Sequence, residues 1–172
     1  DADAFGADLF VYHLFSNSAL FRATNRLETG GDVTSVEWLP GTNEYLLGGT
    51  GNSDAEVQLF RYAPLTTNFT TVTVFNASGF RRVATNGVRS NVQGNRFAVA
   101  FPDSSSDNLQ ILAFDGSSLS DAGKFSDALN YPSAVDWSPA GDRLVVGFRA
   151  AASVFRSLAL YGYAANTLTL RT

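Results

Sequence analysis

The chain is expected to fold as an all-β repeat protein made of four-stranded antiparallel units, and three observations predict this. First, a hairpin pattern recurs: Val135–Leu144 reads VDWSPAGDRL, Val36–Tyr45 reads VEWLPGTNEY and Val88–Phe97 reads VRSNVQGNRF. In each, an apolar residue is followed nine positions on by the first apolar residue of a second run, across a polar turn containing Gly, and the starts lie 52 and 47 residues apart. Second, alternating apolar runs begin at Ala7, Ala55, Asp107 and Ser157, which are 48, 52 and 50 residues apart, so two independent landmarks share one period. Third, 45% of residues are hydrophobic and only 16% are charged, with 14 Phe and 6 Tyr, so the polar surface is Ser, Thr, Asn and Gly. Such a surface favours strands and turns over helices, whose exposed faces usually carry Glu and Lys.

Taken in order, residues 1–6 align with the loop between the second and third strands of later units, so LFVYHL and ALFRATN supply a third and a fourth strand. The first complete unit then shows all four strands. VTSVEW (33–38) alternates, EYLLGG (44–49) is almost continuously apolar, EVQLFRY (56–62) alternates and TTVTVF (70–75) alternates with β-branched residues. Turn residues separate them: Pro40 and Gly41, then Gly49 to Asp54, then Ala63 to Asn68 with Pro64. A strand covered on both faces reads apolar throughout and an outer strand alternates, so the order runs from inner to outermost. DNLQILAF and SLALYGY are the third strands of the next two units, and TLTLRT is the last outer strand. The expected division is a half-unit over 1–30 and units over 31–78, 79–128 and 129–172.

A four-stranded antiparallel unit repeated at this length is the sign of a β-propeller blade. The chain resembles the WD-repeat-like propeller families over essentially its full length, at the level of pattern. Val135–Leu144 looks like their hairpin between the first and second strands of a blade, and Phe114–Asp115 is similar in position to their Trp-Asp dipeptide. There is no Gly-His dipeptide, no Trp-Asp and no repeated His, so the resemblance implies a divergent or bacterial-type propeller. About three and a half blades, roughly 14 strands, fall short of the 4 to 8 blades of closed rings. An open set leaves a half-blade edge and two apolar blade faces in water. The expected fold is therefore a set of β-propeller-type blades that is partial or completed by another chain. The chain is a segment of a longer propeller, or self-associates, or stacks its units in a non-circular array.

Composition narrows the partners. A net charge of −4 and a pI near 4.8 disfavour a nucleic-acid backbone as partner. Lys124 is the only lysine, so no polybasic run meets anionic lipid. No apolar run approaches the roughly 20 residues of a membrane-spanning helix. Zero Cys removes disulfides and thiolate metal sites, and His13 is the only histidine, which makes a His-rich zinc site or a Ser/His/Asp triad hard to build. The chain lacks Met and begins DADAF, which reads as a mature or excised product, and its Cys-free, Met-free make-up suits an extracellular or secreted setting.

In such a fold the loops from strand four to the next blade, and from strand two to strand three, converge on one rim. Arg81, Arg82, Tyr131, Arg149 and Arg156 are its candidate binding residues, since Arg offers planar donors and aromatics offer rigid area. The plainer reading is solvated loops. Asp54, Asp103 and Asp107 raise a calcium loop, but no D-x-D-x-D-G pattern accompanies them and Asx turns explain them more simply, so no metal ligand is assigned. Glu37, Arg89 and Asp136 hold equivalent first-strand positions, where they either line a polar channel or pair with one another, and pairing is the expectation. His13 reads as a strand-surface residue, because no second His or acid cluster accompanies it. The GGTG at 48–51 lacks the Lys and helix of a phosphate loop, and no cofactor motif or catalytic residue is assigned. Asn68-Phe69-Thr70 and Asn76-Ala77-Ser78 are glycosylation acceptor patterns flanking an outer strand. The leading expectation is a non-catalytic interaction or assembly scaffold that meets a protein partner or itself. An extracellular filament or surface-layer protein, and a propeller enzyme of lactonase-like hydrolase or lyase type, are the alternatives.

Overall fold

The computed structural model describes residues 9–14, 21–27, 29–42, 44–51, 54–63, 68–77, 81–102, 107–126, 130–150 and 157–171. They form fourteen strands and no helix. The half-blade is β1 (Leu9–Leu14) with β2 (Phe21–Leu27). The first complete blade is β3 (Val33–Trp38), β4 (Tyr45–Thr50), β5 (Val57–Ala63) and β6 (Asn68–Phe75). The second is β7 (Val88–Ser90), β8 (Arg96–Ala100), β9 (Leu109–Phe114) and β10 (Leu119–Phe125). The third is β11 (Asn130–Trp137), β12 (Arg143–Ala150), β13 (Leu158–Ala164) and β14 (Thr167–Leu170). Each complete blade is an antiparallel meander whose strand order follows the sequence. Small shifts from the sequence expectation occur at β4, which starts one residue later, and at β7, which is only three residues long.

The recurring hairpin is set by turn chemistry. Gly41, Gly94 and Gly141 all carry positive φ (73°, 67° and 72°), which a side chain disfavours, and each closes a tight connection between first and second strands. Within the second strands, alternation then sends successive side chains to opposite faces of the blade. Leu47, Val57 and Leu59 of the first blade share one cluster with Val88, Phe97, Val99, Phe101 and Leu112 of the second. Ala98, Ala100, Leu109 and Ile111 of the second share another with Val135, Trp137, Leu144, Val146, Phe148 and Tyr161 of the third. The core is thus two flat seams between blades, with each buried Val, Leu or Phe contributing about 1.5–3 kcal/mol.

Hydrogen bonds tie the same seams near the first strands. The Val88 amide donates to Ser35 Oγ (3.2 Å) and the Trp137 indole N–H donates to the Arg89 carbonyl (3.0 Å). The first seam also leaves no room at Gly49. A Cβ there would stand 2.6 Å from Val83 Cγ1 and 2.8 Å from Val88 Cγ2, whereas at neighbouring Gly48 the nearest atom is Phe60 Cε2 at 3.5 Å. Gly49→Ala is expected to destabilise by about 1–3 kcal/mol through overpacking, and Gly48→Ala to be near neutral. Urea denaturation midpoints of the two variants check this.

Candidate functional site

The first strands place Glu37 (β3), Arg89 (β7) and Asp136 (β11) one per blade. Their expected mutual ion pairs are absent among the described residues. Glu37 instead reaches across the first seam, where its carboxylate accepts from the Ser90 amide (2.7 Å) and the Ser90 hydroxyl (3.1 Å). Arg89 donates to its neighbour's carbonyl at Val88 (2.8 Å), and Asp136, exposed, accepts from the Trp137 amide (3.0 Å). Of the three side chains, only that of Glu37 ties its blade to the following one. Glu37 performs that role, while Asp136, on the last blade, keeps its carboxylate in solvent.

Burial pushes the Glu37 carboxyl above its ordinary value of 4.5; the Ser90 bonds and Arg89 pull it back, and Asp136 adds to the rise. Glu56 shifts the same way, again chiefly through burial, against the pull of the Ala77 amide that it binds at 2.9 Å. A carboxyl raised in the folded state binds its proton more tightly there than in the unfolded chain. Its contribution is therefore most favourable at low pH and is eroded as pH rises from about 4.5 through the folded-state value. The urea midpoint should fall as pH is raised above the ordinary value of 4.5, and a Glu37→Gln/Glu56→Gln double variant should flatten that fall. Asp115 shifts the other way, held low by the amides and hydroxyls of Ser117 and Ser118, so its effect lies below this window. Its carboxylate caps the β9–β10 turn, accepting from the Ser117 and Ser118 amides.

Arg81, Arg82 and Arg149 each engage a group of this chain. Arg81 donates to the Asp107 carbonyl (3.1 Å) and lies 5.6 Å from the centre of the Phe101 ring. Arg82 pairs with Asp32 at 3.6 Å, an exposed contact of little energetic weight. Arg149 stands 5.9 Å over the Tyr131 ring, directly opposite it in the β11–β12 ladder. Arg156 and Asp103 lie outside the described residues. The structure thus brings together Tyr131 and Arg149 alone of the predicted set. Asp54, Asn68 and Asn76 are exposed, while Asp107 takes φ 50° and its amide donates to Ser126 Oγ (2.6 Å). His13 sits in β1 opposite Arg22. Among the described residues no three His, Asp or Glu side chains are grouped to hold a metal ion, and no helix is long and apolar enough to cross a membrane.

Sequence reasoning missed a buried polar row on the third strands. Gln58 donates through Nε2 to the Thr29 carbonyl (2.9 Å), and Gln110, its counterpart, is fully buried with no protein partner for its amide. A Gln inside the apolar runs EVQLF and NLQIL at the same repeat position is the signal that could have found it.

The dominant surface features are the two ends of the blade array. Val57, Leu109 and Leu158 open the third strands of the three blades, and their exposures are 0%, 1% and 63%. Leu59 and Ile111 are likewise buried, whereas Leu160 is only half-buried. At the opposite end, Val88 and Val135 are 0% and 4% exposed while their counterpart Val36 is 45% exposed; Trp137 is 9% exposed and its counterpart Trp38 is 41% exposed. Toward the outer edge of the third blade, Arg143, Leu160, Gly162, Tyr163 and Arg171 line an open groove of about 580 Å³.

No protein-family model and no curated protein sequence matches this chain. Solved structures do. A protein from Lactobacillus plantarum aligns with TM-score 0.67 at 17% identity, over 95% of this chain and 48% of its own. The C-terminal WD40 domain of Sif2 aligns with TM-score 0.59 at 14% identity, over 83% of this chain and 37% of its own. A candidate 6-phosphogluconolactonase from Bacteroides uniformis aligns with TM-score 0.76 at 14% identity, over 96% and 48%. At these identities the likeness shows the propeller-type fold alone. The chain spans about half the length, or less, of the structures it matches.

Proposed function

We propose that this propeller-type segment is a non-catalytic assembly module, whose working surfaces are the uncovered faces of its terminal blades. One observation carries the reading: a side chain fully buried in the first two blades, at Val57 and Leu109, is 63% exposed in the third, at Leu158. Interior seams are built by apolar residues at that position, and among the described residues no blade packs over the same apolar position of the third. Asp136 extends the parallel, since its counterpart Glu37 binds the next blade's first strand. The rim supports the reading too, because Arg81, Arg82 and Arg149 are each engaged with groups of this chain. Light scattering of the isolated 18.4 kDa chain tests it. Species larger than one chain, or capture of an added blade-bearing partner, are the expected result. A monodisperse monomer that binds no apolar dye and no partner would sink the reading.

A further inference from the structure

We infer that Gln110 holds an internal water in the first seam, so that the contact between the first and second complete blades is built around a bound solvent molecule. Gln110 lies within β9, paired with Val99 of β8 on one side and Lys124 of β10 on the other. Side chains alternate along a strand and directly paired residues share a face. Leu109 and Ile111 belong to the second seam, whereas Val99 and Leu112 belong to the first, so Gln110 points into the first. It is 0% exposed, and neither its Nε2 nor its Oε1 has a partner in the chain. A primary amide enclosed in this way carries the full desolvation penalty of its donors and its acceptor, which native interiors avoid. A buried water that bridges such groups removes the penalty.

The repeat shows what Gln110 lacks. Its counterpart Gln58 donates through Nε2 to two carbonyls, Thr29 at 2.9 Å and Ala55 at 3.3 Å. Thr29 belongs to the short β2–β3 connection, residues 28–32, whereas the connection that enters the second blade, β6–β7, runs over 76–87. Ala55 corresponds to Asp107, and there the carbonyl already accepts from Arg81 Nη1 at 3.1 Å. A carbonyl oxygen has two lone pairs, so the Asp107 oxygen keeps one for a water shared with Gln110. In the third blade the same position is Ala159, which is buried in the second seam and needs no solvent. The ligand class follows from the charges present. Arg81, whose guanidinium acts on the buried Glu56 carboxyl, and the amide N–H groups of Gln110 repel a cation. Glu56, whose Oε1 is the other buried side-chain oxygen without a partner among the described residues, repels an anion. A small neutral molecule that both donates and accepts fits all of these groups, and water is that molecule.

The glutamines of the chain are Gln58, Gln93 and Gln110, so the full chain labelled with 15N at glutamine gives a short set of side-chain amide signals. Magnetisation transfer from water to these protons is the test. The Gln110 amide should show water cross-peaks of opposite sign in the laboratory-frame and rotating-frame experiments, the mark of a long-resident water. Gln93, in the exposed β7–β8 turn, should show only the pattern of surface hydration. The second measurement is Gln110→Met, which keeps the shape of the side chain and removes its polar atoms. Its urea midpoint should equal or fall below that of the unaltered chain, because a hydrated amide carries no penalty for the substitution to relieve. A Gln110 amide without a long-resident water contact, or a midpoint raised by Gln110→Met, would overturn the inference, since a dry and unpartnered amide is improved by an apolar isostere. If Gln110→Met does not fold, the water cross-peaks of the unaltered chain decide alone.

Discussion

Trp137→Ala should lower folding stability by about 3–5 kcal/mol, whereas Trp38→Ala, at the equivalent but 41% exposed position of the first blade, should cost less, about 1–3 kcal/mol. The two indoles differ in neighbours rather than in local sequence. Trp137 is nearly buried in the second seam, meets Tyr163 edge-on at 5.3 Å and donates to the Arg89 carbonyl at 3.0 Å. Its loss opens a cavity and leaves a carbonyl without its donor. Trp38 meets Tyr62 at 5.9 Å and is 41% exposed. Trp137→Phe separates the two contributions, since it keeps most of the packing and should cost about 1 kcal/mol for the hydrogen bond. Urea denaturation of the three variants gives the ranking. Equal costs at the two positions would mean that Trp38 is covered in solution, and that the first blade's face is already occupied.

The contrast between the tryptophans also marks the limit of the sequence. Val36-Glu37-Trp38 and Val135-Asp136-Trp137 are almost the same words, and periodicity correctly made both the first strand of a blade. It could not say which indole would be buried, because burial is decided by the preceding blade, some 50 residues earlier in the chain. The charged residue between apolar partners was legible as a position but not as a contact. Opposite charges at Glu37 and Arg89 read as a pair, yet a carboxylate that reaches the Ser90 amide and hydroxyl gains two directed bonds on the backbone of the next blade. The rim arginines were read from the sequence only as candidate binding side chains, with no partner named. Their partners are separated from them by 18 to 50 residues: Asp107 and Asp32 become neighbours of Arg81 and Arg82 only in the folded chain, and Tyr131 meets Arg149 through the register of the β11–β12 ladder. The Gln of EVQLF and NLQIL was hidden for a different reason: in an alternating run a polar residue is assigned to solvent, and here both are buried, Gln58 against the Thr29 carbonyl of the preceding loop.

Leu109→Asp and Leu158→Asp should have opposite outcomes, although both put a carboxylate at the head of a third strand. At Leu109 the new charge lies in a seam that leaves 1% of the residue exposed. An unpaired buried charge costs several kcal/mol in addition to the lost apolar burial. A domain of this kind is stable by only about 5–15 kcal/mol, so the second and third blades should separate and the chain should unfold or aggregate. At Leu158 the side chain is 63% exposed, and stability should change by roughly 0.5 kcal/mol or less. What Leu158→Asp should remove is association, since the carboxylate would be desolvated only when another blade closes over Val145, Leu160 and Asp136. Two carboxylates on one apolar face, Asp136 and the new one, would then repel inside the seam. Circular dichroism separates folding from unfolding, and light scattering at matched concentrations reads association. If Leu158→Asp unfolds the chain, the third blade's outer face is part of its core. If it folds and associates as the unaltered chain does, that face is not where the blades meet their partner.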